Sequence, residues 1–161
     1  MPGDDAAVCL KPFAREYADI LRTWYHRLAQ DPALNPFTPR RKDIEEYIAK
    51  KLADRENSTY IICVGGAETP IGELKILRSG NTSTIAIHIM EPSYQGKGLG
   101  ARAIRLAVEN ELAREPNVTI ELKVDPGNSA ALKCYEKVGF REARTVTKEG
   151  KVLKIMRLSV S

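Results

Sequence analysis

The chain has 161 residues, enough for one domain whose core takes roughly two-thirds of the unfolded surface out of water. A hydrophobic share of 43% and a charged share of 29%, with no low-complexity tract or internal repeat, exclude a disordered or fibrous protein. The net charge of +4 would suit a nucleic-acid binder, but segments such as RRKDIEEYIAKKLADRE mix both signs as a solvated helix face does, so no nucleic-acid partner is expected.

No segment approaches the roughly 18 apolar residues of a membrane span, and MPGDDAAVCL lacks the basic and apolar regions of a secretion signal, so a cytoplasmic protein without a membrane partner is expected. Cys9, Cys63 and Cys134 are isolated from one another and from histidines at ligand spacing, so they read as small buried hydrophobes and no metal site is expected.

In chain order, Ala7 to Phe13 alternates apolar and polar residues and reads as a strand. AREYADILRTWYHRLAQ sets Tyr17, Ile20, Leu21, Trp24 and Leu28 on one helical stripe ending near Asp31 and Pro32. A proline-rich turn, DPALNPFTPR, leads to a second helix from about Lys42 to Ala53, with Ile44, Tyr47, Ile48 and Leu52 at the same period, expected beside the first. STYIICVGG, PIGELKIL and STIAIHIM read as an antiparallel meander. After the glycine-rich QGKGLG, the face Ile104, Ala107, Val108 and Leu112 marks a helix, and NVTIELKV a strand, which together make a parallel crossover. NSAALKCYEKVGF is a short helix capped by Asn128 or Ser129 and stopped at Gly139, and a hairpin turning at Glu149 and Gly150 ends the chain.

A glycine loop opening a helix offers unhindered N–H groups at the positive end of the helix dipole, which is an anion site. Ala101 and Arg102 follow Gly100 where a nucleoside-triphosphate cradle has Lys and a hydroxyl residue, which argues against a kinase or ATPase. GLGARA fits a loose dinucleotide pattern, but three antiparallel strands precede it, so a doubly wound fold does not fit.

QGKGLG is similar to the Q/R-x-x-G-x-G/A signature of the GNAT superfamily of N-acetyltransferases, with Gln95, Gly98 and Gly100 at the matching positions. NSAALKCYEKVGF resembles that family's later cofactor motif through Asn128, Ala131, Tyr135, Glu136, Lys137, Gly139 and Phe140. The detail looks nearest to aminoglycoside 6'-N-acetyltransferases and, more loosely, to enzymes acetylating ribosomal-protein N-termini. The resemblance covers the whole element order and implies an α/β (α+β) GNAT fold over residues 1–161. That fold is a mixed, mostly antiparallel sheet of about seven strands flanked by about four helices.

The resemblance further implies acetyl-coenzyme A as cosubstrate, its diphosphate on Gln95, Gly96, Lys97, Gly98, Leu99, Gly100 and Ala101, and its pantetheine arm on backbone groups of Ile89 and Met90 and on Asn128 and Ala131. Tyr135 matches the family's general acid, a phenol that stays protonated at neutral pH. The plainer readings are core for Tyr135 and a helix cap for Asn128.

Where some relatives carry a catalytic Glu or His on the fourth strand, this chain has Ser83, Thr84 and Ala86. His88 shares the strand face of Thr84 and Ala86 and is the candidate base, with His26 behind it and Glu73 and Glu91 as weaker acidic candidates. Asp125, before Pro126 at a strand end, is a candidate for binding a cationic amine or simply a turn former. Lys97, Arg102, Arg105, Lys133 and Lys137 lie near both motifs and suit an anionic ligand.

The expected reaction is transfer of acetyl to a primary amine of a small molecule or peptide in a ternary complex. The alternative is a non-catalytic coenzyme A sensor. A homodimer is allowed, and nothing in the sequence specifies it.

Overall fold

The computed structural model describes residues 7–30 and 43–159. The expected proline-rich turn over 31–40 and the expected helix start at Lys42 lie outside the described residues.

The described residues form one seven-stranded sheet and four α-helices. The strands are β1 (Val8–Pro12), β2 (Ser58–Val64), β3 (Thr69–Ser79), β4 (Thr82–Ile89), β5 (Thr119–Val124), β6 (Phe140–Lys148) and β7 (Lys151–Leu158), in spatial order β1-β2-β3-β4-β5-β7-β6. The helices are α1 (Ala18–Ala29), α2 (Ile44–Ala53), α3 (Leu99–Arg114) and α4 (Ser129–Val138). This is the mixed architecture the sequence implies. One boundary differs: the stretch expected to be helical from Ala14 begins as a 3-10 turn, Arg15–Tyr17, and becomes α-helical at Ala18.

All neighbouring strands are antiparallel except β4 and β5. Between these two the chain returns through α3, and such a crossover restores the strand direction. At the far edge the hairpin turns through Glu149 (φ 52°) and Gly150 (φ 78°), a two-residue turn with both φ positive. It inserts β7 beside β5 and leaves β6 at the edge.

The two-residue period of the strands divides the core into two layers. Leu74, Ile76, Ile85, Ile120 and Leu122 meet Leu99, Ile104 and Ala107 of α3. The opposite parity, Ile61 and Cys63, meets Leu21, Trp24, Ile44 and Ile48 of α1 and α2. Each fully buried Leu or Ile contributes about 1.5–3 kcal/mol relative to exposure, so the sheet is held from both sides. Of the cysteines, all free, Cys63 is buried and its thiol is pushed up to about 11 by that burial, while Cys9 and Cys134 are half-buried.

A buried carboxylate ties α3 to the meander. Glu111 is 2% exposed and accepts from Arg78 Nε (2.7 Å) and Nη2 (2.9 Å), Ser83 Oγ (2.8 Å) and Arg114 Nη2 (2.8 Å). The Arg78 guanidinium is the main cause that holds its carboxyl down at about 2, against the opposing effect of burial. Because the folded value lies below the unfolded one, this stabilisation is complete above the ordinary value of 4.5 and is lost as pH falls toward about 2. Glu111→Gln should lower stability by about 3–5 kcal/mol at neutral pH, as removing one partner of a buried pair does. Thermal melts across this acid range should show a shallower decline for the variant than for the parent; equal slopes would reject the assignment.

Candidate active site

The glycine loop follows a 3-10 turn, Pro92–Tyr94, and delivers the chain to α3. Gly96 (φ 73°) and Gly98 (φ 76°) adopt the left-handed conformation that strains other residues. A Cβ at either would meet no atom within 4 Å, so the loop faces open space and only the backbone conformation demands glycine. Gly98 is the N-cap of α3, and the first helical bond runs from Arg102 N to Gly98 O at 3.3 Å. The N–H groups of Leu99, Gly100 and Ala101 therefore have no acceptor within the helix, and the helix dipole adds positive potential there.

Gln95 has a different task from the rest of the loop: its Nε2 donates to Ile89 O at 2.9 Å and clamps the loop to β4.

That clamp fixes how β4 presents its backbone. β4 pairs with β5 only from Thr82 to Ile85, after which the two strands part. The carbonyl of His88 lies against β3, so close that a Cβ on Gly72 would come within 2.4 Å of it. The Ile89 carbonyl faces Gln95, on the other side. Alternation along a strand then turns the N–H groups of Ile87 and Ile89 toward the gap left by β5.

Met90 is placed otherwise than the resemblance implies. Its N–H donates to Ile71 O at 2.8 Å, its carbonyl accepts from Arg27 Nη1 at 3.4 Å, and its side chain is buried against α1. Glu91 N also donates to Ile71 O (3.1 Å), so two residues of the β4 end oppose one of β3, a bulge that spends the Met90 amide on β3 and leaves it none for a ligand.

A cleft of about 570 Å³ runs along this edge, lined by Ile87 to Ile89, the loop glycines Gly96, Gly98 and Gly100, and Ala101, and closed by Asn128, Ala131 and Tyr135 of the α4 region. Lys133 and Lys137 also line it, whereas Lys97, Arg102 and Arg105 do not. Asn128 caps α4, its Oδ1 accepting from Ala131 N at 3.1 Å, and Gly139 (φ 118°) ends that helix by donating to Tyr135 O and Glu136 O. A second cleft of about 520 Å³ opens on the α1–α2 side of the sheet between β3–β4 and the final hairpin. Tyr135 lines both clefts. Burial pushes its phenol up to about 12, so it is protonated at neutral pH. Burial likewise raises the Cys134 thiol, which disfavours the thiolate a nucleophile needs.

His88 stands opposite Glu73 in the β3–β4 ladder. Burial lowers its pKa below the usual 6.5, Lys75 adds to that and Glu73 opposes it, so the imidazole is neutral at pH 7 and can accept a proton. The other acidic candidates are occupied. Glu73 is buried, accepts from Tyr25 Oη at 2.7 and 2.8 Å, and pairs with Lys51 at 3.0 Å. Glu91 accepts from Trp24 Nε1 at 2.6 Å and lies 3.6 Å from Arg27.

Asp125 lines the second cleft and also holds its own turn, accepting from Gly127 N at 2.8 Å. His26 lines neither cleft. The sequence reading missed the buried Tyr25–Glu73–Lys51 group and the lysines of the second cleft. Its one available signal was the alternation of charged residues in GELKIL and IELKV.

Among the described residues no group of three His, Cys, Asp or Glu could hold a metal, and no helix is long and apolar enough to cross a membrane. Residues 8–141 match the model of a family described as an acetyltransferase (GNAT) domain. The chain belongs to the GNAT acetyltransferase family.

Within this family, it is similar to aminoglycoside N(6')-acetyltransferase type 1 of Klebsiella pneumoniae, 34% identical over 117 residues that cover 64% of this chain and 57% of that protein. It is also similar to spermidine N(1)-acetyltransferase of Escherichia coli K12, 26% identical over 144 residues, 83% of this chain and 73% of that one. The chain thus spans little more than half the length of the aminoglycoside relative. Among solved structures, AAC(6')-Ib in complex with paromomycin and acetyl-coenzyme A superposes with a TM-score of 0.77 at 27% identity, covering 95% of this chain and 93% of that one. A spermidine N-acetyltransferase chimera from Vibrio cholerae, at 21% identity and a TM-score of 0.76, shares the fold.

The left-handed glycines make a specific prediction for this GNAT site. In Gly98→Ala the added methyl has room but the backbone pays about 1–3 kcal/mol of strain. Calorimetry should therefore show coenzyme A binding weakened by about 5- to 150-fold as the loop relaxes away from this conformation. Unchanged affinity would remove the loop from the ligand site.

Proposed function

We propose that this chain, as a single domain over residues 1–161, is a cytoplasmic N-acetyltransferase that moves acetyl from acetyl-coenzyme A to a primary amine in a ternary complex. The observation that carries the reading is the position of Tyr135, bordering both clefts where β4 leaves β5. A donor seated along the open β4 edge and an acceptor entering from the α1–α2 side would meet at that point.

The chain's residues fit the donor. The N–H groups at the start of α3 and in the loop suit a diphosphate, and the free amides of Ile87 and Ile89 suit an extended amide-bearing arm added as a strand would be. An N–H aimed at the thioester oxygen stabilises the negative charge that develops there, an effect of about 2.7–4 kcal/mol where single donors have been removed. His88, neutral and lining the first cleft between Ile87 and Ile89, takes the proton lost by the attacking amine, through water. As the C–N bond forms and the C–S bond breaks, Tyr135 gives its proton to the departing thiolate.

The aminoglycoside and polyamine acetyltransferases among its relatives support a small amine as acceptor. Release of free thiol from acetyl-coenzyme A with a panel of amines tests the activity. Tyr135→Phe should reduce turnover by about 10²–10⁴ while coenzyme A affinity stays near that of the parent. A variant with full turnover would remove the assigned acid.

The lowered His88 pKa sets the direction of the pH dependence. kcat/KM should be level above it and fall as pH drops through it, because the imidazolium cannot accept a proton. In His88→Gln this acid limb should vanish along with roughly 10²-fold of the rate. Persistence of the limb in the variant would assign it to another group.

A further inference from the structure

The second cleft has a charge that the proposed reaction does not explain. Four lysines, Lys75, Lys123, Lys148 and Lys151, line it with one carboxylate, Asp125, whose Oδ1 is already taken by Gly127 N. We infer that the acceptor is a small amine that also carries an anionic group, a carboxylate or a phosphate, and that Lys123 and Lys151 receive that group in this cleft. The inference rests on the acetyltransferase reading given above.

Three observations support it. Lys123 and Lys151 are exposed and have no ion-pair partner among the described residues. Their charges are therefore not spent on carboxylates of the fold. Lys151 also stands directly opposite Lys148 in the β6–β7 ladder, and Glu149 at the turn between them does not line the cleft. An anion received by Lys123 and Lys151 would offset the two exposed ammonium charges of this wall.

The rest of this sheet face does not offset the excess. Glu73 is shared by Lys51 at 3.0 Å and by the field of Lys75, whose ammonium donates to Tyr47 Oη at 2.9 Å. Burial works against the Lys75 charge, but Glu73 and Tyr47 outweigh it, so the cleft keeps a cation at its inner wall. Farther along β5, Glu121 is held between Arg144 (2.9 Å) and Arg157 (2.8 Å), again one carboxylate to two cations. A polyamine or aminoglycoside, with several ammonium groups, meets net repulsion here. An amine with an anionic tail can place its nitrogen toward Tyr135 and its charge among the lysines. A volume of about 520 Å³ is within the range of small-molecule sites.

Matched probes test this. Thiol release is measured with acetyl-coenzyme A and β-alanine against β-alaninamide, phosphoethanolamine against ethanolamine, and spermidine and kanamycin as polycations. In parallel, N-acetyl-β-alanine and N-acetyl-β-alaninamide are titrated by calorimetry into protein saturated with coenzyme A. The anionic member of each pair should exceed its neutral counterpart by roughly tenfold or more in kcat/KM, and the ratio should shrink as salt is raised. The two pairs tell carboxylate from phosphate. In Lys123→Gln/Lys151→Gln, both changes being on exposed side chains, the ratio should fall toward one at an unchanged melting temperature.

Preference for spermidine, kanamycin or the neutral amines overturns the inference, as does a ratio that survives the double substitution. Selective binding of the anionic product without turnover of any amine would reject the transferase reading and uphold the anion site. Turnover without anion preference would do the reverse.

Discussion

The structure depends on how short the parallel seam between β4 and β5 is. The two strands share a ladder only from Thr82 to Ile85 on one side and Thr119 to Leu122 on the other. Beyond it a strand in the middle of the sheet has a free edge, which buried backbone groups ordinarily cannot tolerate. Three features keep it open. The bulge at Met90 and Glu91 binds the end of β4 to β3, Gly72 lets β3 come close enough to hold it, and β5 runs into the Asp125–Gly127 turn that starts α4. The freed N–H groups of Ile87 and Ile89 are turned toward the gap, in a position that no side chain could supply.

Everything chemical gathers around that opening. On the α3 side are glycines, an uncapped helix start and an apolar wall. On the α1–α2 side are lysines and the buried Glu73 group, and His88, opposite Glu73 in the ladder, lines the first cleft. Tyr135 reaches both clefts, as does the apolar Ile87, and of the two only Tyr135 carries a proton to give. Burial acts on its phenol and on the His88 imidazole in opposite directions, raising one pKa and lowering the other, since each is disfavoured in its charged form. One desolvated site thereby holds both a proton donor and a proton acceptor at neutral pH.

The buried carboxylates share a design that makes this opening rigid. Glu73, Glu111 and Glu121 each lie on or against the central strands with two cations in reach. Removing one cation leaves the other, so none of these carboxylates depends on a single partner. Glu111 binds β3 and β4 to α3, Glu121 binds β5 to the closing hairpin, and Glu73 binds β3 to α1 and α2. The strands that flank the gap are thus tied to neighbours on their outer sides, and the gap does not close.

What the sequence determined by itself was local. Alternation in STIAIHIM, the helical stripe of α3, the Asn128 cap, the Gly139 stop and the turn at Glu149 and Gly150 all follow from conformational preferences of residues close in the chain. The glycine loop opening α3 was legible for the same reason, while the left-handed conformation of Gly96 and Gly98 came with the structure. Tertiary structure decided everything that depends on which strand lies beside which. The commitment of Met90 to Ile71, the clamp of Gln95 on Ile89 and the contact of Tyr135 with both clefts arise from pairings across many residues of chain.

The lysines of the second cleft show this limit most plainly. Glu73-Leu74-Lys75 and Glu121-Leu122-Lys123 are the same tripeptide on two strands, and either alone reads as an ordinary half-buried strand. Only the order β4-β5-β7-β6, set by a crossover and by which arm of a hairpin lies inside, brings Lys123 and Lys151 to one wall with Lys75 opposite. Charge is written in the sequence, but a field is a sum over positions in space, and folding supplies the positions.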